Sequence, residues 1–181
     1  MSHLPLWYIV QAPDPVTEEL LGDFAKLSVS DASMGINAEH FNHLQRNTST
    51  CFAPAGHWLE KLMSDVSKTA NEVNKWNFEV AGNEQIQYAE YGLEQHYDWH
   101  IDTFWLSGKD VDRKMTAVYL LSDPSEFTGG EFQLRMYQEY TAPLVKGSII
   151  VFPSFIEHRV TPVLSGVRKT ATLWISGPRF K

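Results

Sequence analysis

Two periods divide this chain. Before Gly82 apolar residues recur mostly at helical spacing, and after it they alternate. LWYIV (6–10) reads as a short strand, and Pro13 and Pro15 then punctuate the chain. Thr17 is the predicted cap of a helix whose apolar positions are Leu20, Leu21, Phe24 and Leu27. The stretch 28–55 is polar, with Gly35, Asn37, Asn42 and Asn47 scattered through it, and reads as loop or short strands. Trp58, Leu59, Leu62, Met63, Val66, Ala70 and Val73 keep a 3.6-residue period and predict the longest helix.

Beyond Gly82, EQIQYAEYG alternates at Ile86 and Tyr88, and MTAVYLL (115–121) is almost continuously apolar. EFQLRMY (131–137) places Phe132, Leu134 and Met136 on one face, and SIIVF (148–152) and TATLWIS (170–176) follow. DPSEFTGG, VKG and LSGVRK are turn signals between these runs. Several short strands after two helices predict an antiparallel sandwich or barrel with helices on one side. With no repeat, low-complexity segment or linker, 1–181 reads as one domain. Residues up to about 80 are expected to give helical support, and residues 81–181 the β core.

Composition narrows the function classes. At 43% hydrophobic and 13% aromatic residues, the chain has the means to bury a core. No apolar run approaches the roughly 18 residues that would span a bilayer. MSHLPLWYIVQAPDP lacks the basic and apolar regions of a secretory signal, and Cys51 is the single cysteine. A cytoplasmic protein without an internal disulfide or thiolate metal cluster is therefore expected. The formal charge of -7 disfavours nucleic acid as a partner.

The chemistry gathers in HYDWHID (96–102). On a strand, residues two apart share a face, so His100 and Asp102 supply imidazole and carboxylate on one side, as a redox-active divalent metal needs. His96 and Asp98 offer the same spacing, and the pattern alone does not choose between the pairs. A lone His-x-Asp among seven histidines is close to what chance supplies, and a solvated strand face is its commoner reading. Downstream, KGSIIVFPSFIEHRVTPVLSGVRKTATLWIS puts His158 after a Pro turn, and Arg168 ten positions later, at the start of the last strand. A guanidinium near such a metal would suit the far carboxylate of a dicarboxylate co-substrate.

Tyr91, the HID triplet, GGEF (129–132), His158 and Arg168, in this order and spacing, resemble the prolyl 4-hydroxylase family of Fe(II)- and 2-oxoglutarate-dependent dioxygenases. Its bacterial and viral members are nearest, and the resemblance runs from about Trp58 to Trp174. It implies an α+β, mainly β fold: a double-stranded β-helix, or jelly roll, with N-terminal helices packed on one sheet. It selects His100 and Asp102, with His158, as the Fe(II) ligands and leaves His96 and Asp98 out. It assigns Arg168, Tyr91 and Thr116 to 2-oxoglutarate. It also implies O2 as the other co-substrate and ascorbate as a supporting reductant.

The implied reaction hydroxylates a C–H bond and releases succinate and CO2. The implied substrate is a prolyl residue of a peptide or protein, met by the loops 28–54 and 103–114. Tyr97 and Trp174 are expected to line the substrate site, although Trp174 is equally an ordinary core residue. Trp99 and Trp105 either line a substrate groove or fill the core. Some relatives carry a tyrosine four residues beyond the threonine. Here that position is Leu120, while Tyr119 should face the other way, which bears on co-substrate affinity.

Two alternatives stand beside this reading. One is a jelly-roll binding module with a vestigial or structural metal site; the other is an oxygenase of a free amino acid or another small molecule. His40, His43 and His57 are expected in loops or at the surface, and Cys51 as a small apolar residue.

Overall fold

The computed structural model describes residues 6–27, 45–104 and 110–180, together with the backbone of 30–31. Trp105, His40 and His43 lie outside the described residues.

Eight strands form the larger sheet. They are β1 (Tyr8–Gln11), β2 (Ser30–Asp31), β4 (Ser49–Phe52), β5 (Gly82–Asn83), β6 (Gln87–Tyr91), β8 (Val111–Leu120), β12 (Ser148–Pro153) and β15 (Arg168–Pro178). Their order is β1-β12-β8-β15-β6-β4-β2, with β5 also pairing with β15. A five-stranded sheet faces it, made of β3 (Arg46–Asn47), β7 (His96–His100), β10 (Phe132–Arg135), β11 (Glu139–Thr141) and β13 (Glu157–Val160), in the order β11-β10-β13-β7-β3. A small ribbon joins β9 (Phe127–Gly129) to β14 (Val163–Gly166). The named strand pairings are all antiparallel. The molecule is mainly β with the predicted jelly-roll architecture.

Helices α1 (Asp14–Phe24) and α2 (Trp58–Val73) cover the outer face of the larger sheet. This explains why MTAVYLL is apolar at every position except Thr116. Met115, Ala117, Tyr119 and Leu121 belong to the core under the helices, whereas Val118 belongs to the core between the sheets. Likewise Ala171, Leu173 and Ile175 of β15 pack outward against the helices, while Arg168, Thr170, Thr172 and Trp174 line the interior between the sheets. Alternation thus sorts two cores from one strand.

Several local expectations are corrected. Helix α1 begins at Asp14 with Pro15 in its first turn, where a missing N–H costs nothing. Thr17 is therefore not its cap; it is buried inside the helix, with its hydroxyl 2.9 Å from that of Tyr119. That contact fixes Tyr119 on the helix side, as expected. Helix α2 has the predicted bounds, and His57 caps it by accepting from the backbone N–H of Leu59. His57 also lies 3.4 Å from Asp23 and stacks on Phe24, so its role is packing and capping. Met136 falls just after β10 and is exposed, unlike Phe132 and Leu134. The first 80 residues give more than helical support, because β1, β2 and β4 extend the larger sheet and β3 the smaller one.

Candidate metal centre

His100 ends β7, Asp102 follows just beyond the strand, and His158 lies directly across from His100 on β13. One ligand atom from each can be chosen so that all lie within 4.8 Å of one another, and no other such group of His, Cys, Asp or Glu is found among the described residues. Nε2 of His158 is 3.4 Å from Asp102 Oδ2, and Nε2 of His100 is 3.8 Å from Oδ1. Ligands about 2.1 Å from one ion and at right angles to it sit about 3 Å apart, so the two imidazoles and the carboxylate are gathered closely enough to share a metal.

Backbone carbonyls set both imidazoles. Nδ1 of His100 is 2.7 Å from the carbonyl of Asp98, and Nδ1 of His158 is 2.9 Å from that of Ile156. A carbonyl only accepts, so each Nδ1 carries the proton and each Nε2 presents its lone pair to the site. Burial, reinforced by the nearby His158, holds the pKa of His100 down at about 3. The imidazole is therefore neutral at ordinary pH, as a metal ligand must be.

Asp102 is the most elaborately supported of the three. Its backbone N–H donates to the carbonyl of Ser154 at 2.9 Å. Its Oδ2 accepts from Thr116 Oγ1 at 2.7 Å and from Trp174 Nε1 at 2.9 Å. The Ser154 hydroxyl is 3.0 Å from that of Thr116 and, since Thr116 donates to Asp102, donates in turn to Thr116. With Oδ2 engaged twice, Oδ1, which accepts no hydrogen bond among the described residues and lies 3.9 Å from Arg113 Nη1, is the freer oxygen for a metal. Burial alone would raise the Asp102 pKa, but His158, His100 and Arg113 more than offset it and hold the carboxyl below its usual range.

Arg168 opens β15 on the facing sheet, directly opposite Tyr91 in register. His158 and Arg168 are therefore brought together across the two sheets, not on neighbouring strands. The guanidinium is 2% exposed, its Nη2 has no hydrogen-bond partner, and no carboxylate of the described residues is within ion-pairing distance. Its carbon lies 5.5 Å from the centre of the Tyr91 ring, and burial pulls its pKa down to about 10. Arg168 and Tyr91 line the same cavity as the His-Asp-His group. Leu120 is buried beside Arg168, where a second cavity of about 270 Å³ adjoins it.

The remaining predicted residues divide. Tyr97 lines the cavity, stacked on His100 with ring centres 3.5 Å apart, and burial raises its pKa to about 12. Thr116 and Trp174 also line it, yet their polar groups are committed to Asp102. Trp99 is not in the cavity. One extra residue of β7 separates Tyr97 from His100, relative to Val160 and His158 opposite. This bulge brings Tyr97 onto the inner face with His100; Trp99, the neighbour of His100, points outward, with the guanidiniums of Arg135 at 4.2 Å and Arg159 at 4.6 Å from its ring. His96 and Asp98 take no part in the ligand group; Asp98 accepts instead from the N–H of Trp99.

Arg46, Gln87, Arg113 and Ser154 were not singled out by sequence. Arg113 forms a two-pronged pair with Glu84 at 2.6 Å and lies over the Trp174 ring at 3.9 Å. Its only advance signal was its position three residues before Thr116 on a strand that lines the site.

The donor set fits iron: two imidazoles and one carboxylate, without thiolate. The orphaned Arg168 fits a dicarboxylate such as 2-oxoglutarate. Among curated proteins, the chain is similar to a PKHD-type hydroxylase of Shewanella baltica, 35% identical over 82 residues. Another, from Cupriavidus metallidurans, is 33% identical over 86 residues. These matches cover 44% and 47% of this chain, and only 37% of either relative.

A Pseudomonas putida prolyl-4-hydroxylase shares the fold with a TM-score of 0.73 at 17% identity, over 97% of this chain and 94% of that one. A viral collagen prolyl hydroxylase of Paramecium bursaria Chlorella virus-1 shares it with a TM-score of 0.68 at 18% identity, over 96% and 97%. Residues 86–176, about half of the chain's 181, match the model of the 2OG-Fe(II) oxygenase superfamily, and the chain belongs to that superfamily.

Proposed function

We propose that the chain is an Fe(II)- and 2-oxoglutarate-dependent dioxygenase that hydroxylates a prolyl residue in a peptide or protein, releasing succinate and CO2. The observation that carries the chemistry is the buried, unpaired guanidinium of Arg168 in the same cavity as His100, Asp102 and His158. Bound iron would supply O2 activation, coupled to oxidative decarboxylation of 2-oxoglutarate. His100 Nε2, His158 Nε2 and Asp102 Oδ1 would hold the metal on one side. Arg168 would pair with the far carboxylate of 2-oxoglutarate, with Tyr91 beside it. Ala89, Val118, Phe132 and Val160 give that space apolar walls, which strengthens the Arg168–carboxylate pair by excluding water.

The prolyl substrate is supported by the names of the similar proteins and by the shared fold. A binding module with a structural metal would favour a closed set of four ligands, and among the described residues three meet. No helix among the described residues is long and apolar enough to cross a membrane.

The test is an absorption spectrum taken without oxygen while Fe(II) and then 2-oxoglutarate are added. A weak charge-transfer band requiring both, and lost in Arg168→Ala and His158→Ala, is expected. Its absence from the unaltered protein would overturn the co-substrate assignment. Substrate is then sought by succinate release with proline-containing peptides.

A further inference from the structure

Arg46 is a second buried guanidinium in the same cavity. The short strand β3 sets it opposite Tyr97 of β7. Its guanidinium carbon is 4.6 Å from the Tyr97 ring centre. The imidazole of His100 lies parallel to that ring at 3.5 Å and fills one face, which leaves Arg46 the other. Across the cavity, Nη2 donates to Oε1 of Gln87 at 2.8 Å, tying the smaller sheet to the larger. Arg46 is 7% exposed, and its Nε is buried without a hydrogen-bond partner. No carboxylate among the described residues pairs with it. The N–H of Nε therefore remains to be met.

Charge balance says by what. Fe(II) would be balanced by Asp102 and the near carboxylate of 2-oxoglutarate, Arg168 by its far carboxylate, and Arg113 is paired with Glu84. The guanidinium left over is that of Arg46. Burying a guanidinium beside a metal without a counter-ion is costly, and the cost is removed only when an anion arrives.

Resting on the oxygenase reading, we propose that Arg46, steadied by Gln87, binds a carboxylate of the molecule that is hydroxylated. The substrate is then a carboxylic acid whose target carbon lies a few bonds from the acid group. Either the free carboxylate of an amino acid or an acidic residue next to the target proline supplies this chemistry.

The test uses the protein with zinc in place of iron and with 2-oxoglutarate bound, so that nothing turns over. Calorimetry compares two probe pairs: L-proline against L-prolinamide, and a proline-containing pentapeptide with glutamate next to the proline against its glutamine twin. At least one acid is expected to bind about tenfold or more tightly than its amide, as charge-assisted hydrogen bonds require. The pair that discriminates tells the free acid from the acidic peptide. Arg46→Gln should erase the difference, and Arg46→Lys, which keeps the charge but not the fork, should restore part of it.

Equal binding of acid and amide in both pairs, or binding of neither, overturns the proposal, and the unaltered protein suffices for that comparison. Loss of the iron/2-oxoglutarate band in Arg46→Gln also overturns it, because the guanidinium would then serve the co-substrate. Absence of that band from the unaltered protein instead sinks the oxygenase reading, and this inference with it.

Discussion

The indole Nε1 of Trp174 donates a 2.9 Å hydrogen bond to Oδ2 of Asp102. Together with Thr116 it fixes the carboxylate by the oxygen that the metal does not need, so that Oδ1 is aimed at the ion. Removing such support commonly costs about 10–100-fold in metal affinity while leaving the ligands in place. Trp174→Phe keeps the ring beneath Arg113 and loses the donor; Thr116→Val keeps the shape and loses the hydroxyl. Each is expected to weaken metal binding within that range in a competitive zinc titration. Unchanged affinity in both would show that the carboxylate is positioned by its backbone alone.

Gly130 gives the GGEF motif a physical meaning. Its φ is +60, and a Cβ there would lie 3.0 Å from Arg168 Cδ and 3.0 Å from Val163 Cγ2. Gly130→Ala should therefore push Arg168 off its position as well as strain the backbone, at about 1–2 kcal/mol for the strain. Gly56, with φ +80 and open space around its would-be Cβ, is the control. Both alanine variants should lose comparable stability in urea, but Gly130→Ala alone should bind 2-oxoglutarate more weakly. Equal co-substrate affinity in the two would remove the link between Gly130 and Arg168.

What was legible in the sequence was whatever follows from one element's own pattern. Helix α2 announced its bounds because its apolar stripe keeps a single period across 16 residues. Strand β8 announced burial on both faces by its near-continuous apolar run. The His-Asp-His-Arg set was legible through resemblance, since His-x-Asp alone is too common to choose a site. What escaped depends on pairing between distant segments. Arg46 acquires its place only when a two-residue strand lies beside Tyr97, about 50 positions downstream. Trp99 was misplaced although alternation from His100 already turns it outward, while Tyr97 reaches the inner face only through a bulge that strict alternation has no way to signal. Thr17 was taken for a cap because the helix start two prolines earlier outranks a good capping residue three positions inside.

The outward turn of Trp99 makes a prediction opposite in kind. Its ring lies against Arg135 and Arg159; Arg135 pairs with Glu157 at 3.0 Å, and Arg159 donates to Gln133 at 2.7 Å. These partners tie β7 to the outer face of β13 and β10. Trp99→Ala should cost roughly 1–2 kcal/mol of stability, the worth of two partly exposed cation–π contacts. The iron/2-oxoglutarate band and succinate release should be unchanged. A selective loss of turnover, with folding intact, would return Trp99 to the substrate site.

Arg168 carries a stability cost that its ligand should relieve. Burial lowers its folded-state pKa from an ordinary 12.5 to about 10, so the folded protein holds this proton less tightly than the unfolded chain does. The charge therefore opposes folding at neutral pH, and the penalty fades as pH rises from about 10 to 12.5. Arg168→Met keeps most of the aliphatic stem and removes the buried cation, an exchange that is often stabilising by about 1 kcal/mol or more. Without ligands the variant should melt higher than the unaltered protein at pH 7, by roughly 2–4 °C per kcal/mol for a chain of this size. Adding zinc and 2-oxoglutarate should reverse the order. The unaltered protein gains about 2.7 kcal/mol at a hundredfold excess of 2-oxoglutarate over its dissociation constant, and the variant gains only what zinc supplies. A variant that melts lower in both conditions would mean that the guanidinium is structural; one that still responds to 2-oxoglutarate would mean that the far carboxylate is bound elsewhere.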